Sequence, residues 1–355
     1  MRLWRVRAIA LMAVVALVAM ACADAEETPE AADPADAVED PTEEAPDDEP
    51  GEPAEEAVDF GDDPVRVMIS TRFNLPMIGS DAAEELGIFE EMGLPVENLE
   101  GQDVTAGLAS GDVDVGLASP NRFIGAILQG LDATIVGPTI DIWGQYIIVS
   151  TDLGVESVEE LEPGVSIGIS SFGSAGHYSG EKFAEQQGWG EGDFEIVTMG
   201  DLDGLMAGLR QGTIDMFMWS AQAAFTLEQE GEAVLLGNVG EIIGPNPLDV
   251  IIVSNDTIAE RPEAIRAFCE GFYEAQERFK NDPDLAVTTF VEQWGFEPDI
   301  TPAIVESGAQ YLSTDDAMSD EMFENMAEAT VFTIDGVDEL TGADVAEMYV
   351  PCSEL

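Results

Sequence analysis

The chain has 355 residues, with 73 Asp and Glu against 12 Lys and Arg, and a formal net charge of −61 at pH 7. So few cations exclude a nucleic-acid surface, because that binding rests on neutralising phosphates. A single histidine, His177, excludes HExxH and His-pair metal sites, and no metal or other cofactor is expected.

The N-terminus reads as an export signal. Arg2, Arg5 and Arg7 form a basic start, and Ala8 to Met20 is an unbroken apolar run. That run is shorter than the roughly 20 apolar residues a spanning helix needs. It leads into Ala19-Met20-Ala21-Cys22, which resembles a bacterial lipobox with Ala19 where Leu is preferred. Residues 1–21 are therefore read as a signal peptide and Cys22 as the lipidation point, with a plain cut after Ala21 or Ala23 as the alternative. Residues 22–63 read as a tether: 19 acidic residues, many Ala and Pro and no basic residue leave too little apolar surface to offset ordering entropy. The expected location is the outer face of the cytoplasmic membrane, held there by lipid. The acidity continues past the tether, where only Lys182 and Lys280 are lysines, and reads as adaptation to a saline habitat.

Within the body, Val65 to Ser70 reads as a buried strand and Asp81 to Glu91 as a helix ending near Gly93. Helix 103–110, strand 113–118 and helix 120–128 follow, with Pro120 in a first turn, then strands 133–136 and 146–150. The plan then repeats as strand 165–170, helix 175–187, strand 194–199, helix 201–210, strand 214–219 and helix 220–230. The echo extends to individual residues. Ala106-Gly107-Leu108-x-x-Gly111-x-Val113-Asp114 returns as Ala207-Gly208-Leu209-x-x-Gly212-x-Ile214-Asp215, and Ser119 keeps step with Ser220. Val65-x-Val67-x-Ile69-Ser70-Thr71 returns as Val165-x-Ile167-x-Ile169-Ser170-Ser171. A further strand at 248–254 precedes a long amphipathic helix whose stripe is Ile265, Phe268, Cys269, Phe272 and Phe279, and helices 283–294 and 302–312 follow. Strands alternating with helices at this spacing indicate an α/β class with two lobes, each a mostly parallel sheet covered by helices. Lobe 1 is expected over 64–148 and 250–355 and lobe 2 over 149–249, in a monomer. Cys269 and Cys352, late in an exported chain, read as a disulfide stapling the tail, against two unpaired thiols.

Ligands of open α/β sheets sit beyond the carboxyl ends of the strands, so the repeat selects the residues that line the cleft between lobes. These are Ser70, Thr71, Arg72 and Phe73, then Ser119, Asn121 and Arg122, from lobe 1. From lobe 2 they are Ser171, Phe172, Gly173, Ser174 and Asp201, with Trp219 and Ser220. Gly173-Ser174-Ala175-Gly176 before a helix offers free amides to an anion, or is simply an N-cap. Arg72 is favoured over Arg122 as the anion partner because its loop follows the first strand. Trp219 and Trp143 are candidates for stacking on a planar ligand, against core filling. His177 is expected to pack or touch a ligand; no GxSxG elbow, P-loop or strand-following GxGxxG accompanies it, and no catalytic residue is assigned.

Taken in order, Leu75-Pro76, Ala83-x-Glu85-x-Gly87-x-Phe89, Gly93-Leu94-x-Val96, Gly111-Asp112-Val113-Asp114-Val115-Gly116, Gly168 through Gly173-Ser174, Gly212-x-Ile214-Asp215 and Arg261-Pro262-Glu263-Ala264-Ile265-Arg266-Ala267-Phe268 form a recognisable series. Over about 65–335 the chain resembles the substrate-binding proteins of nitrate, sulfonate, taurine and bicarbonate type ABC importers, and their relatives that bind thiamine-pyrimidine precursors. The resemblance implies a type II periplasmic-binding-protein fold that closes on a small solute and delivers it to a permease with its ATPase. Small organic anions come first as ligands and neutral heteroaromatics second. An exported enzyme on the same fold and a sensor lobe are the alternatives. The cysteine-rich motif of the pyrimidine synthases on this fold is missing, which counts against that activity.

Overall fold

Val65, Val67 and Ile69 are fully buried while the residues between them are half-buried, and this strand, β1 (Val65–Ile69), nucleates the first sheet. The computed structural model describes residues 58–101 and 103–355; the export signal, Cys22 and nearly all of the tether lie outside them. After β1 come helices α1 (Gly79–Glu85) and α2 (Ile88–Met92), then β2 (Val96–Glu100), α3 (Val104–Ser110), β3 (Val115–Ala118), α4 (Pro120–Leu128) and β4 (Ala133–Pro138). The single helix expected over 81–91 is two, because Gly87 takes a left-handed φ of 72° between them. β1 pairs in parallel with β2 and β3. β10 (Val250–Ser254), arriving from far along the chain, enters antiparallel between β3 and β4, giving the order β2-β1-β3-β10-β4.

The second sheet repeats this construction. β5 (Tyr146–Ser150), β6 (Val165–Ile169), α5 (Ala175–Gln186), β7 (Phe194–Thr198), α6 (Leu202–Arg210), β8 (Met216–Trp219), α7 (Ala221–Gln229), β9 (Ala233–Asn238) and α8 (Gly240–Ile243) give the order β7-β6-β8-β5-β9. β5 occupies the place that β10 holds in the first sheet, antiparallel to both neighbours. Tyr146 therefore already pairs in the second sheet, and the lobe boundary expected at 148/149 falls inside β5. The echoed residues are structural. Gly111 and Gly212 take φ of 75° and 65° just past α3 and α6. The carboxylate of Asp114 accepts from the Arg66 backbone N–H at 2.9 Å, and that of Asp215 accepts from the Ser166 N–H at 2.7 Å. Each ties its strand to the neighbour in the same way.

Two segments join the lobes, residues 139–145 and 244–249. They are bonded to each other where the Thr139 N–H and hydroxyl both donate to the Asp249 carbonyl, at 3.1 and 3.0 Å. Beyond β10, α9 (Asn255–Glu260) and α10 (Pro262–Asn281) return over the first lobe. Phe268, Phe272 and Phe279 of α10 are fully buried, and Phe272 lies so close to Gly79 that a Cβ there would come within 2.7 Å of the ring. α11 (Pro283–Glu292), α12 (Thr301–Gly308), α13 (Asp320–Thr333) and α14 (Gly342–Ala346) complete the body, and Cys269 and Cys352 are joined as a disulfide. α13 also reaches lobe 2: Asn325 donates to the Pro245 carbonyl at 2.8 Å, Glu328 pairs with Lys182, and Phe332 packs on His177 and Tyr178. Among the described residues no helix is long and apolar enough to cross a membrane.

Candidate functional site

The cleft between the lobes holds two cavities, and the internal repeat relates them. The larger, about 440 Å³, lies between the loop after β3 and the loop after β6. The smaller lies between the loop after β1 and the loop after β8, the counterparts exchanged, and has a free volume of only about 30 Å³. One water takes about that much space.

Ser119, Asn121 and Arg122 line the larger cavity from lobe 1, together with Ser70; Ser171, Gly173 and Ser174 line it from lobe 2. Ser119 is the N-cap of α4 and Pro120 opens that helix, so the first turn points at the cavity with no side-chain cap. Ser174 caps α5 by accepting from the His177 N–H at 3.2 Å. Gly173, at φ 75°, donates its N–H to His177 Nδ1 at 3.0 Å. Nδ1 is thus the unprotonated nitrogen, and burial lowers the His177 pKa against the opposing pull of Glu181, 3.6 Å from Nε2. His177 shapes the loop from behind and does not border the cavity. Asn121 is 4% exposed and accepts from Thr330 at 3.4 Å.

Two charged side chains border this space, Arg122 and Asp249. Arg122 is exposed and, among the described residues, makes no ion pair or hydrogen bond. Asp249 is 6% exposed, and its carboxylate likewise has no partner among the described residues. Burial pushes its pKa up to about 7. Sequence reasoning missed Asp249, Thr333 and Ile334 as lining residues. An acid heading the apolar run Val250-Ile251-Ile252-Val253 was the signal available for Asp249.

The other expected site residues lie elsewhere. Arg72 does not reach the larger cavity: its Nε and Nη2 both donate to Asp81, at 2.7 and 2.5 Å, and Nη1 donates to the Asn98 carbonyl. In so acidic a chain, a carboxylate nine residues on captured the guanidinium. Thr71 is exposed and borders neither cavity. Trp143 is fully buried, donating to Gln145 Oε1 at 3.0 Å and packing on Tyr178, so it fills core and cannot stack on a ligand. Trp219 is half-buried in register with Tyr146 and borders neither cavity. Ser220 caps α7 at the smaller cavity, so Ser119 and Ser220 face different spaces. Asp201 is spent on the N-cap of α6, accepting from Gly204 N–H at 2.8 Å.

Known proteins share this architecture. Residues 75–286 match the family model described as NMT1/THI5 like. The taurine-binding periplasmic protein of Escherichia coli K12 is 28% identical over 190 residues, 52% of this chain; the chain spans only 57% of that protein's length. The periplasmic aliphatic sulphonate binding protein SsuA of Escherichia coli superposes with a TM-score of 0.67 at 15% identity, over 82% of this chain and 94% of that one. A Candida albicans gene product with the generic periplasmic binding protein fold superposes at 0.60 and 13% identity, over 81% and 96%. The two lobes therefore take the periplasmic-binding-protein fold, and the chain belongs to the NMT1/THI5-like family.

Proposed function

We propose that the chain is the extracytoplasmic receptor of an ABC importer, anchored through a lipid on Cys22, which holds a small organic anion in the larger cavity and passes it to a permease and its ATPase. The observation that carries this reading is Arg122. In a chain where acids outnumber bases 73 to 12, it keeps no acidic partner among the described residues, and it borders a cavity at which α4 and α5 begin. A guanidinium beside free helical amides suits a sulfonate or similar anion. The names of the relatives, taurine-binding and aliphatic sulphonate binding, support that class. No nucleophile–base pair faces the cavity among the described residues, which favours capture over catalysis.

Calorimetric titration of sulfonates, taurine and nitrate in high salt tests the reading. Arg122→Ala is expected to weaken binding at least about tenfold, while Arg72→Ala leaves affinity unchanged. The reverse pattern would return the anion to Arg72. A neutral heteroaromatic is the second reading; the exposed ring of Phe172 on the larger cavity favours it. Binding of such a compound with no response to Arg122→Ala would select it.

A further inference from the structure

His177 is the chain's single histidine, and it stands where the loop after β6, α5 and α13 meet. Its ring lies between Phe172 of that loop, edge-on at 5.0 Å between centroids, and Phe332 of α13, at 4.8 Å. α13 packs on α4 as well as on α5, so the ring stands in a contact between the lobes. The loop itself rests on that helix: a Cβ on Gly173 would come within 3.1 Å of the Thr333 carbonyl oxygen. Phe172, Gly173 and Ser174 border the larger cavity, as do Thr333 and Ile334. The imidazole stands behind them, its side chain 14% exposed.

The bond that ties ring to loop fixes the protonation of the ring. A backbone N–H can only donate, so Nδ1, which receives the Gly173 N–H at 3.0 Å, carries a lone pair, and the proton sits on Nε2 towards Glu181. The imidazolium has no such lone pair. Protonation would set two N–H groups against each other and leave the Gly173 donor without its acceptor. The charged group acting on the ring is Glu181 of its own helix. From α13 the ring meets Phe332, while Glu328, one turn earlier, is held by Lys182. Burial, which lowers the His177 pKa, agrees with a ring kept neutral.

We propose that His177 is the positioning residue of the larger cavity: neutral, it clamps the loop after β6 in the shape that receives a ligand, and a proton on Nδ1 releases loop and ligand together. This inference rests on the reading of the cavity as an organic-anion receptor and adds a control by acidity. Binding and protonation then oppose each other, so a bound ligand makes the ring harder to protonate. Plain electrostatics dictates the opposite, since a nearby anion favours the imidazolium. The sign of the effect decides between them.

The test uses the full chain in high salt, with ethanesulfonate, taurine and nitrate as probes between about pH 7.5 and about pH 5. Asp249 also titrates on this cavity, at about 7, so chains are compared with each other at each pH. The Asn oxygen of His177→Asn stands where Nδ1 does and does not titrate. Relative to that variant, the natural chain is expected to lose at least about fivefold in affinity as the ring takes its proton. His177→Phe keeps a ring but no acceptor, and should bind at least about fivefold more weakly throughout. A ratio of the natural chain to His177→Asn that does not change with pH overturns the inference and leaves the receptor standing. With one histidine, the imidazole nitrogen-15 signals belong to a single residue. The Gly173 amide signal should shift with the same midpoint, and a bound probe should move that midpoint down. An Nδ1-protonated ring near neutral pH, a Gly173 amide indifferent to the ring, or a midpoint that rises on binding overturns the clamp without any variant. Failure of every probe to bind overturns the receptor reading and with it the release of ligand, while the ring and amide signals still decide the clamp.

Discussion

Arg72 delivers two donors to one oxygen of Asp81, and Asp81 also accepts from the Phe73 N–H at 3.2 Å, which closes the loop after β1 onto α1. The Asp81 side chain is 1% exposed, and burial raises its pKa although Arg72 pulls it down. The pair therefore fixes the loop rather than a ligand. Removing the guanidinium leaves a buried acid with one backbone donor. Arg72→Ala is expected to lower unfolding free energy by about 3 kcal/mol. Urea denaturation in high salt measures it, and a loss below about 0.5 kcal/mol would show the pair to be inconsequential.

Asp249 gives the apo protein a specific pH response. Unfolded, an aspartate releases its proton near pH 4, roughly; folded, Asp249 does so at about 7. Between these values the folded chain binds a proton that the unfolded chain has lost, so this group's contribution to stability falls as pH rises from about 4 to about 7 and is flat above. Asp249→Asn is neutral throughout. The variant should match the natural chain near pH 4 and exceed it by on the order of a few kcal/mol at pH 8. A difference between the two that does not change with pH would contradict an unpartnered buried carboxylate.

Charge dictates a salt response. With a net charge of −61, the folded chain repels itself, and its few cations are largely committed to local pairs such as Arg210 with Glu230 and Glu232. At about 1 M salt the Debye length is roughly 3 Å and most of that repulsion is screened. The thermal midpoint is expected to climb with sodium chloride up to about that concentration. A midpoint that falls as salt is added would remove the case for a saline habitat.

The disulfide between Cys269 and Cys352 closes a loop of 83 residues that contains α11 to α14. Opening it by Cys352→Ser is expected to cost about 4 kcal/mol, because the unfolded chain regains the entropy of a long loop. Denaturation with and without reductant checks the figure, and reductant should leave the variant unaffected.

Periodicity and the internal echo made the sheets legible, because they rest on local rules. Gly111 and Gly212 stop helices by their left-handed backbone, and the strands that follow are buried apolar runs. The doublet also marked the loops around the larger cavity, since Ser119 and Ser174 stand at helix starts wherever the sheet is placed. What failed was partner assignment. Arg72 lies in the loop after β1 and Arg122 in the first turn of α4, and only the position of Asp81 in space decides which guanidinium is free. Trp143, weighed between stacking on a ligand and filling core, sits fully buried on Tyr178. Asp249 was hidden among 73 acids, because its meaning lies in lacking a donor, and a sequence does not display missing contacts.

The two sheets exchange a member. The first half of the body, through β5, gives that last strand away to the sheet of the second half, which returns β10 to the first. Severed between β5 and β6, neither piece could finish its own sheet, and each would present a slot shaped for the other's strand. The lobes thus depend on one another to assemble.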